Sequence, residues 1–273
     1  MKSLFTLKQA VLQFLVGRGY YVSRTVDAKR LKKFLQQVAP RETSKPLVRL
    51  GGNSDGGYLV PDDFVGIQAC FSPGVSAIAN FELAMAERGI PSYMADHSVD
   101  GPPLKNPYFD FEKKFLGVTN DDVFITLQDW VKRKATGNSD LLLQMDIEGA
   151  EYAVLLDTPD DVLRRFRVLV VEFHGLNRLA AISGVELIEA VFNRLAKYFD
   201  IVHIHPNNCA PVLKLGELEI PSVMEFTFLR KDRNQAAGYA KTFLHALDEK
   251  NLPELPDIVL PKCWQGCAAL PPS

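Results

Sequence analysis

The sequence predicts a doubly wound α/β domain with a mostly parallel sheet, and its hydrophobic pattern is the reason. Short, dense apolar runs alternate with helical stretches from about residue 47 to about residue 231. This alternation is typical of parallel strands that helices bury on both faces. Only a polar loop separates the last two apolar runs, which predicts that those two strands pair antiparallel. With 273 residues, 47% of them hydrophobic, the chain is long enough to bury such a core.

The apolar runs predict six strands, and the densest of them is rich in β-branched residues, as expected of a central strand. In chain order the predicted strands are Gly66–Phe71, Pro91–Ala95, Leu141–Met145, Arg167–Phe173, Asp200–His205 and Ser222–Leu229.

The predicted helices lie between and after these strands. One spans Ala77–Arg88 and is closed by Gly89. Others span Ala150–Leu156, a short stretch that begins at Thr158, the stretch from the capping box Ser183–Glu186 to about Tyr198, and a terminal helix at Asp232–Asp248. The polar stretch between Pro40 and Pro46 predicts a boundary. We therefore expect an N-terminal helical arm (1–46), a central domain (47–231), and a C-terminal helix with a Pro-rich tail (232–273).

The start of the arm predicts an amphipathic helix. Lys8, Gln9 and Gln13 occupy one face, and apolar residues recur at helical spacing on the other: Leu4, Phe5, Leu7, Val11, Leu12, Phe14 and Leu15. The polar residues interrupt the apolar run, so it is too short to cross a bilayer. Two interpretations stay open: the helix packs on its own domain, which we favour, or it lies on a membrane surface or binds a partner.

Composition excludes several classes of protein. The 31 Lys and Arg residues nearly balance the 33 Asp and Glu residues, so the net charge of −2 argues against a nucleic-acid-binding protein. Four cysteines are few for this length, which favours reduced thiols in a cytoplasmic protein. The N-terminus has no continuous signal-peptide core.

In a doubly wound sheet, ligands bind beyond the carboxyl ends of the strands. The loop after the first strand, Ser72-Pro73-Gly74, lacks the three glycines of a dinucleotide fingerprint, which argues against a nicotinamide or flavin enzyme. Asp96 ends the second strand and is suited to binding the hydroxyls of a ribose. His97 beside it is a candidate for stacking on an adenine.

The most informative segment follows the third strand. Asp146, Glu148 and Glu151 lie within six residues, and acids gathered this way usually serve a ligand, a metal or a proton. Glu148 and Glu151 also suit the first turn of a helix, so Asp146 is the stronger candidate. Glu172 and His174 end the next strand on one side of it. His203 and His205 add possible ligands at a further strand end.

The segment Met145–Glu151 resembles the hallmark of the FkbM-type S-adenosylmethionine-dependent methyltransferases. Phe71–Asp96, Val170–His174 and the glycine-rich stretch Arg49–Tyr58 are similar to other parts of this family. The resemblance implies a class I methyltransferase fold, which is a Rossmann-like sheet of seven strands with an antiparallel last strand. It also implies O-methylation of a sugar, a glycolipid or a small secondary metabolite.

The resemblance assigns roles to the candidate residues. Cofactor-binding residues would be Ser72, Gly74, Asp96 and His97, with Asp55 supplying contacts that the glycine-poor first loop lacks. Asp146 and His174 would be catalytic. Either His174 removes the proton of the acceptor hydroxyl, or a divalent cation such as Mg²⁺ on Asp146 and Glu172 acidifies it, and we favour the cation.

Two other functions compete with methyl transfer. A metal-dependent hydrolase would use Asp146, Glu172, His174 and His203. A non-catalytic module would bind a nucleotide or a sugar. The acceptor itself is not readable from the sequence, but we expect its pocket in the irregular stretches Gly101–Gly117 and Asn207–Pro221, where aromatic residues offer stacking surfaces.

Overall fold

The computed structural model describes residues 2–20, 22–75 and 77–266, with side chains from residue 8 onward. Its helices are α1 (Lys2–Val16), α2 (Ala28–Gln37), α3 (Asn80–Ala86), α4 (Leu127–Lys134), α5 (Glu151–Asp157), α6 (Asp160–Leu163) and α7 (Ile182–Leu195). Its strands are β1 (Leu47–Leu50), β2 (Tyr58–Pro61), β3 (Ile67–Pro73), β4 (Ser92–Ala95), β5 (Phe109–Glu112), β6 (Phe115–Gly117), β7 (Phe124–Thr126), β8 (Asp140–Met145), β9 (Phe166–His174), β10 (Phe199–Pro206), β11 (Val212–Leu215), β12 (Leu218–Pro221) and β13 (Val223–Arg230).

Seven strands form the central sheet, in the order β10-β13-β9-β8-β3-β4-β5. Strands β9, β8, β3, β4 and β5 pair in parallel, whereas β13 runs antiparallel to both β9 and β10. The predicted mixed α/β class with a mostly parallel sheet is thus confirmed. The chain winds outward in opposite directions from β3 and β8, so the topological switch point lies between these two strands, where ligands bind in such folds.

The core explains why the central strands are so apolar. Leu141, Leu143 and Leu169 are fully buried, because both faces of β8 and β9 are covered. Helices α2, α5 and α7 pack on one face, with Phe192 of α7 lying 4.9 Å from the ring of Phe173. The hairpin β1–β2 covers part of the other face, where the hydroxyl of Thr227 donates to the carbonyl of Leu59.

The two helices of the arm behave differently. Helix α2 begins at the N-cap Asp27, which accepts hydrogen bonds from the next turn, and it buries Leu31, Phe34 and Leu35. Helix α1 does not pack in this way, because its described side chains, residues 8 to 16, are exposed or half-exposed. For residues 8 to 16, the packing on the domain that we favoured for the first helix is therefore not found, and Leu4, Phe5 and Leu7 lie outside the described side chains. Among the described residues, no helix is long and apolar enough to span a bilayer.

The predicted terminal helix at Asp232–Asp248 is also wrong. Only Lys231–Arg233 form a single 3₁₀ turn, and the chain then continues without a helix as far as Pro261. Gly238 has a φ of +102°, which a right-handed helix does not allow. The segment instead lies against β10, where Asp248 is 2.9 Å from Nε2 of His203, and just beyond it Asn251 donates a 2.7 Å hydrogen bond to the buried carboxyl group of Glu225. These tertiary bonds outweigh the local helical pattern.

Candidate active site

The loops after β3 and β8 touch each other at the switch point. Gly74 has a φ of +91°, and a Cβ built on it would overlap the backbone oxygen of Asp146. The amide of Asp146 also points back to the carbonyl of Pro73, at 3.4 Å. Only glycine permits this approach, which brings the first loop against the acid-rich segment.

A cavity of about 540 Å³ opens beside this contact. Its lining includes the predicted residues Asp55, Gly74, Asp96 and Asp146. Apolar walls come from Phe115, Leu116 and Phe124 of β6 and β7. A volume of this size is typical of a small-molecule site, which occupies about 300–1,000 Å³. Four of the candidate residues therefore share one pocket at the carboxyl edge of the sheet.

Asp96 is nearly buried at one end of this cavity. Its Oδ1 accepts hydrogen bonds from the amide of Ser98 (2.7 Å) and from its hydroxyl (2.6 Å). No other hydrogen bond to the carboxylate of Asp96 is found within the described residues, so Oδ2 is available to a ligand. His97 is not part of the cavity lining, but its ring lies 5.3 Å from that of Phe115, which is. His97 therefore packs against Phe115 in the apolar wall without lining the cavity itself.

Ser72 does not reach the cavity. It is fully buried, and its hydroxyl contacts the carboxyl of Glu82 and lies 2.5 Å from Oε1 of Gln144. One hydroxyl has a single proton to donate, so the second contact needs either a protonated Glu82 or a side-chain amide of Gln144 turned so that its NH2 donates to Ser72. Burial raises the pKa of Glu82. Glu82 and Gln144 of this network line a smaller cavity of about 50 Å³, together with Tyr58, Asp55 and Asp146.

Four carboxylates surround the imidazole of His174. Nδ1 lies 3.1 Å from Oε1 of Glu151. Nε2 faces the other three acids, and its distances to their nearest oxygens are 3.4 Å for Glu148, 3.7 Å for Glu172 and 3.9 Å for Asp146. The predicted convergence of Asp146, Glu172 and His174 is thus present in the structure.

Glu151 combines two tasks. Its side chain is 0% exposed, and Oε1 accepts the amides of Ile147 (3.2 Å) and Gly149 (3.0 Å) at the start of α5. The same oxygen contacts Nδ1 of His174. Glu148 is the opposite case, with a side chain that is 87% exposed and a φ of +55°. This left-handed backbone is rare for a residue with a side chain, and it turns the chain between β8 and α5.

The electrostatics of the cluster follow from its burial. Desolvation raises the pKa of Asp146 to about 7, against the opposing effect of His174 and with a further increase from Glu148 and Glu151. Burial also raises the pKa of Glu172 well above its ordinary value. For His174, desolvation lowers the pKa, but the hydrogen bond and the charge of Glu151, together with Asp146 and Glu148, outweigh it and the pKa is raised. Asp146 therefore gains and loses its proton near neutral pH.

The side chains that suit a metal ion differ from the predicted pair. Asp146, Glu148 and His174 each offer a ligand atom, and these atoms lie within 4.8 Å of one another. Glu172 is instead engaged by the amide of Asn207, at 3.0 Å. Among the acids around His174, three buried carboxylate oxygens lack a hydrogen-bond partner within the described part of the chain: Oδ1 of Asp146, Oε2 of Glu151 and Oε2 of Glu172.

His203 is not part of this cluster. Its Nε2 lies 2.9 Å from Asp248, in a separate cavity that His205 and His245 also line. The ligand set of a hydrolase built on Asp146, Glu172, His174 and His203 is therefore not assembled. The expected acceptor stretches are also partly structural, because Phe109 and Phe111 of β5 pack against Met94.

Comparison with known proteins supports one family. Residues 95–199 match the model of the methyltransferase FkbM domain. No curated protein matches the chain. The matched segment runs from β4 to the start of β10 and includes Asp96, Asp146, Glu172 and His174, whereas Asp55 and Gly74 lie before it. The predicted resemblance is confirmed over this segment, which is similar to the methyltransferase FkbM domain.

Proposed function

We propose that this protein transfers a methyl group from S-adenosylmethionine to a hydroxyl of a sugar, a glycolipid or a small secondary metabolite. One observation carries the proposal. A single cavity is bordered by Asp96 at the end of β4 and by Asp146 at the end of β8, and Asp146 belongs to the cluster around His174. A nucleoside site and a proton-accepting site thus adjoin each other.

The residues of the cavity fit the proposed donor. Asp96 has one carboxylate oxygen available for the ribose hydroxyls, and Phe115, Leu116 and Phe124 offer apolar contacts for an adenine. Asp55 lines both this cavity and the smaller one, so it is suited to the ammonium group of the methionine end. S-Adenosylmethionine supplies an electrophilic methyl group on a sulfonium, so the protein has to align the acceptor and take up its proton.

Nε2 of His174 is the atom suited to that proton. The buried carboxylate of Glu151 accepts a hydrogen bond, so Nδ1 carries the ring proton in the neutral imidazole. Nε2 then has a free lone pair, facing Asp146, Glu148 and Glu172. The negative charges of Asp146 and Glu148, both of which raise the pKa of His174, stabilise the imidazolium that forms when the hydroxyl loses its proton.

The same lone pair would bind a divalent cation held by Asp146, Glu148 and His174. Such an ion lowers the pKa of a bound hydroxyl. The two uses of Nε2 exclude each other, because the lone pair accepts either a proton or a metal. We favour the cation, because Oδ1 of Asp146 is buried without a partner and carboxylate oxygens with an imidazole form a suitable ligand set.

Calorimetry with S-adenosylhomocysteine, with and without Mg²⁺, tests the proposal. We expect binding, and we expect Asp96→Ala to weaken it by about 1–3 kcal/mol, as for a lost buried hydrogen bond. Asp62→Ala, at an exposed position outside both cavities, is the matched control. Failure of the wild-type protein to bind would refute the donor. If the wild-type protein binds Mg²⁺ and Glu148→Gln does not, the result favours the cation. If the wild-type protein does not bind Mg²⁺, the result favours His174 as the base.

A further inference from the structure

Helix α1 presents an unpartnered apolar surface. Val11 is 51% exposed and Phe14 is 58% exposed, and the apolar exposure continues beyond the helix at Tyr20 and Val22. The guanidinium of Arg18 lies 3.7 Å from the centre of the Phe14 ring, so a cation borders the apolar stripe. A helix with exposed apolar side chains and basic residues close to them, here Lys8 one turn before Val11 and Arg18 just after the helix, is suited to a surface that is both apolar and anionic.

The charge of the arm supports the same kind of partner. Residues 1–33 contain one acid, Asp27, and eight basic residues: Lys2, Lys8, Arg18, Arg24, Lys29, Arg30, Lys32 and Lys33. Residues 1–33 therefore carry a net charge of +7 while the whole chain carries −2, so residues 34–273 carry −9. Lys29, Lys32 and Lys33 are exposed, although Arg30 pairs with Glu189. Docking α1 on the α1 of a second copy would bring two such basic segments together, and like charges disfavour that contact.

The arm is attached at the edge of the sheet that holds the candidate active site. The amide of Val26 donates to the carbonyl of Ala180, and the amide of Ile182 donates to the carbonyl of Arg24. Ala180 lies six residues after His174, in the turn that follows β9. The chain that leads back to α1 therefore leaves the domain beside the carboxyl end of β9.

We propose that α1 lies in the interface of an anionic lipid bilayer, with Val11 and Phe14 among the acyl chains and Lys8 and Arg18 at the headgroups. The attachment near Ala180 then turns the carboxyl edge of the sheet toward the lipid. This proposal concerns binding alone and does not rest on the proposed methyl transfer, so either one stands if the other fails.

Co-sedimentation of the full chain with vesicles tests it, using phosphatidylcholine alone and phosphatidylcholine mixed with phosphatidylglycerol. We expect tighter binding to the mixed vesicles, decreasing as salt is added. Lys8→Gln and Arg18→Gln should each weaken it about fivefold, the contribution of one cation at an anionic surface. Val11→Asp should weaken it by roughly tenfold, because it removes the burial of one valine side chain.

Val65→Asp is the matched control, since Val65 is 92% exposed in the loop between β2 and β3. It makes the same substitution on another part of the surface and should leave vesicle binding unchanged. Circular dichroism checks that each variant keeps the fold. The proposal would be overturned if the protein bound neither kind of vesicle. It would also be overturned if Val65→Asp lost as much vesicle binding as Val11→Asp. Self-association through α1 without vesicle binding would also overturn it and assign the helix to a second copy.

Discussion

Glu151→Gln should lower the pKa of His174. The carboxylate of Glu151 is fully buried and 3.1 Å from Nδ1, and it is the main reason why the pKa of His174 is raised in spite of desolvation. The amide oxygen of glutamine still accepts the proton of Nδ1, so the ring keeps its position. The substitution removes only the negative charge that stabilises the imidazolium.

The size of the effect follows from the burial of the pair. A hydrogen bond to a charged group contributes about 1.5–3 kcal/mol, and a neutral one about half as much. One pKa unit corresponds to about 1.4 kcal/mol, so the loss of the charge should lower the pKa of His174 by about one unit. Glu148 lies at a similar distance, 3.4 Å, but it is exposed, and water screens its charge. Glu148→Gln should therefore shift the pKa of His174 by much less.

NMR titration of the Cε1 protons measures both shifts, with His174→Gln used to assign the signal among the five histidines. The expected order is a large decrease in Glu151→Gln and a small one in Glu148→Gln. An unchanged pKa in Glu151→Gln would show that this acid does not support the imidazolium. The role that we give to His174 Nε2 would then lose its physical basis.

Three further outcomes follow from the geometry. In thermal unfolding, Gly74→Ala should destabilise the protein more than Gly137→Ala does. Both glycines have a positive φ, but of the two only Gly74 has a Cβ position that overlaps another part of the backbone. Equal losses of stability in the two variants would contradict the contact. Burial raises the pKa of Glu225 to about 8, so its contribution to the stability of the fold is present below its unfolded pKa near 4.3 and is lost as the pH rises through 8. Glu225→Gln should therefore reduce the dependence of the free energy of unfolding on pH between about 4 and 8, measured by denaturant unfolding. An unaltered dependence on pH would refute this. Asp146→Asn should abolish methyl transfer. It should also stabilise the fold above pH 7 by about 1–3 kcal/mol, because the pKa of Asp146 in the folded protein is raised to about 7. Destabilisation of this variant at pH 8 would contradict the second effect.

The sequence predicts the central strands well, because their signal is dense and local. The run at Leu141–Met145 forms β8 with almost the predicted bounds, and Gly89 takes the left-handed conformation expected after a helix. The shared side of Glu172 and His174 follows from strand alternation alone. The short strands β5 and β6 lie in a stretch that was predicted as irregular, and β7 was not predicted, because three or four residues show no periodicity that could reveal a strand.

Other features depend on tertiary contacts that no local pattern contains. Glu151 fits the first turn of a helix, as the sequence suggests, and its second contact with His174 comes from a residue 23 positions away. The Ser183 capping box is not formed, because α7 begins earlier, after Ala181. Ser72 was predicted to bind the cofactor, yet Glu82 and Gln144 occupy its hydroxyl. A strand end identifies the right edge of the sheet but not which side chains turn toward the cavity.

A crystal structure of the protein with S-adenosylhomocysteine bound would test most directly whether donor and proton acceptor share one pocket. Our account predicts the ribose hydroxyls on Asp96, the adenine against Phe115, and the sulfur on the side of the cavity that Gly74 and Asp146 form. Density for the ligand outside this cavity, or a bound ligand whose sulfur points away from the His174 cluster, would contradict it.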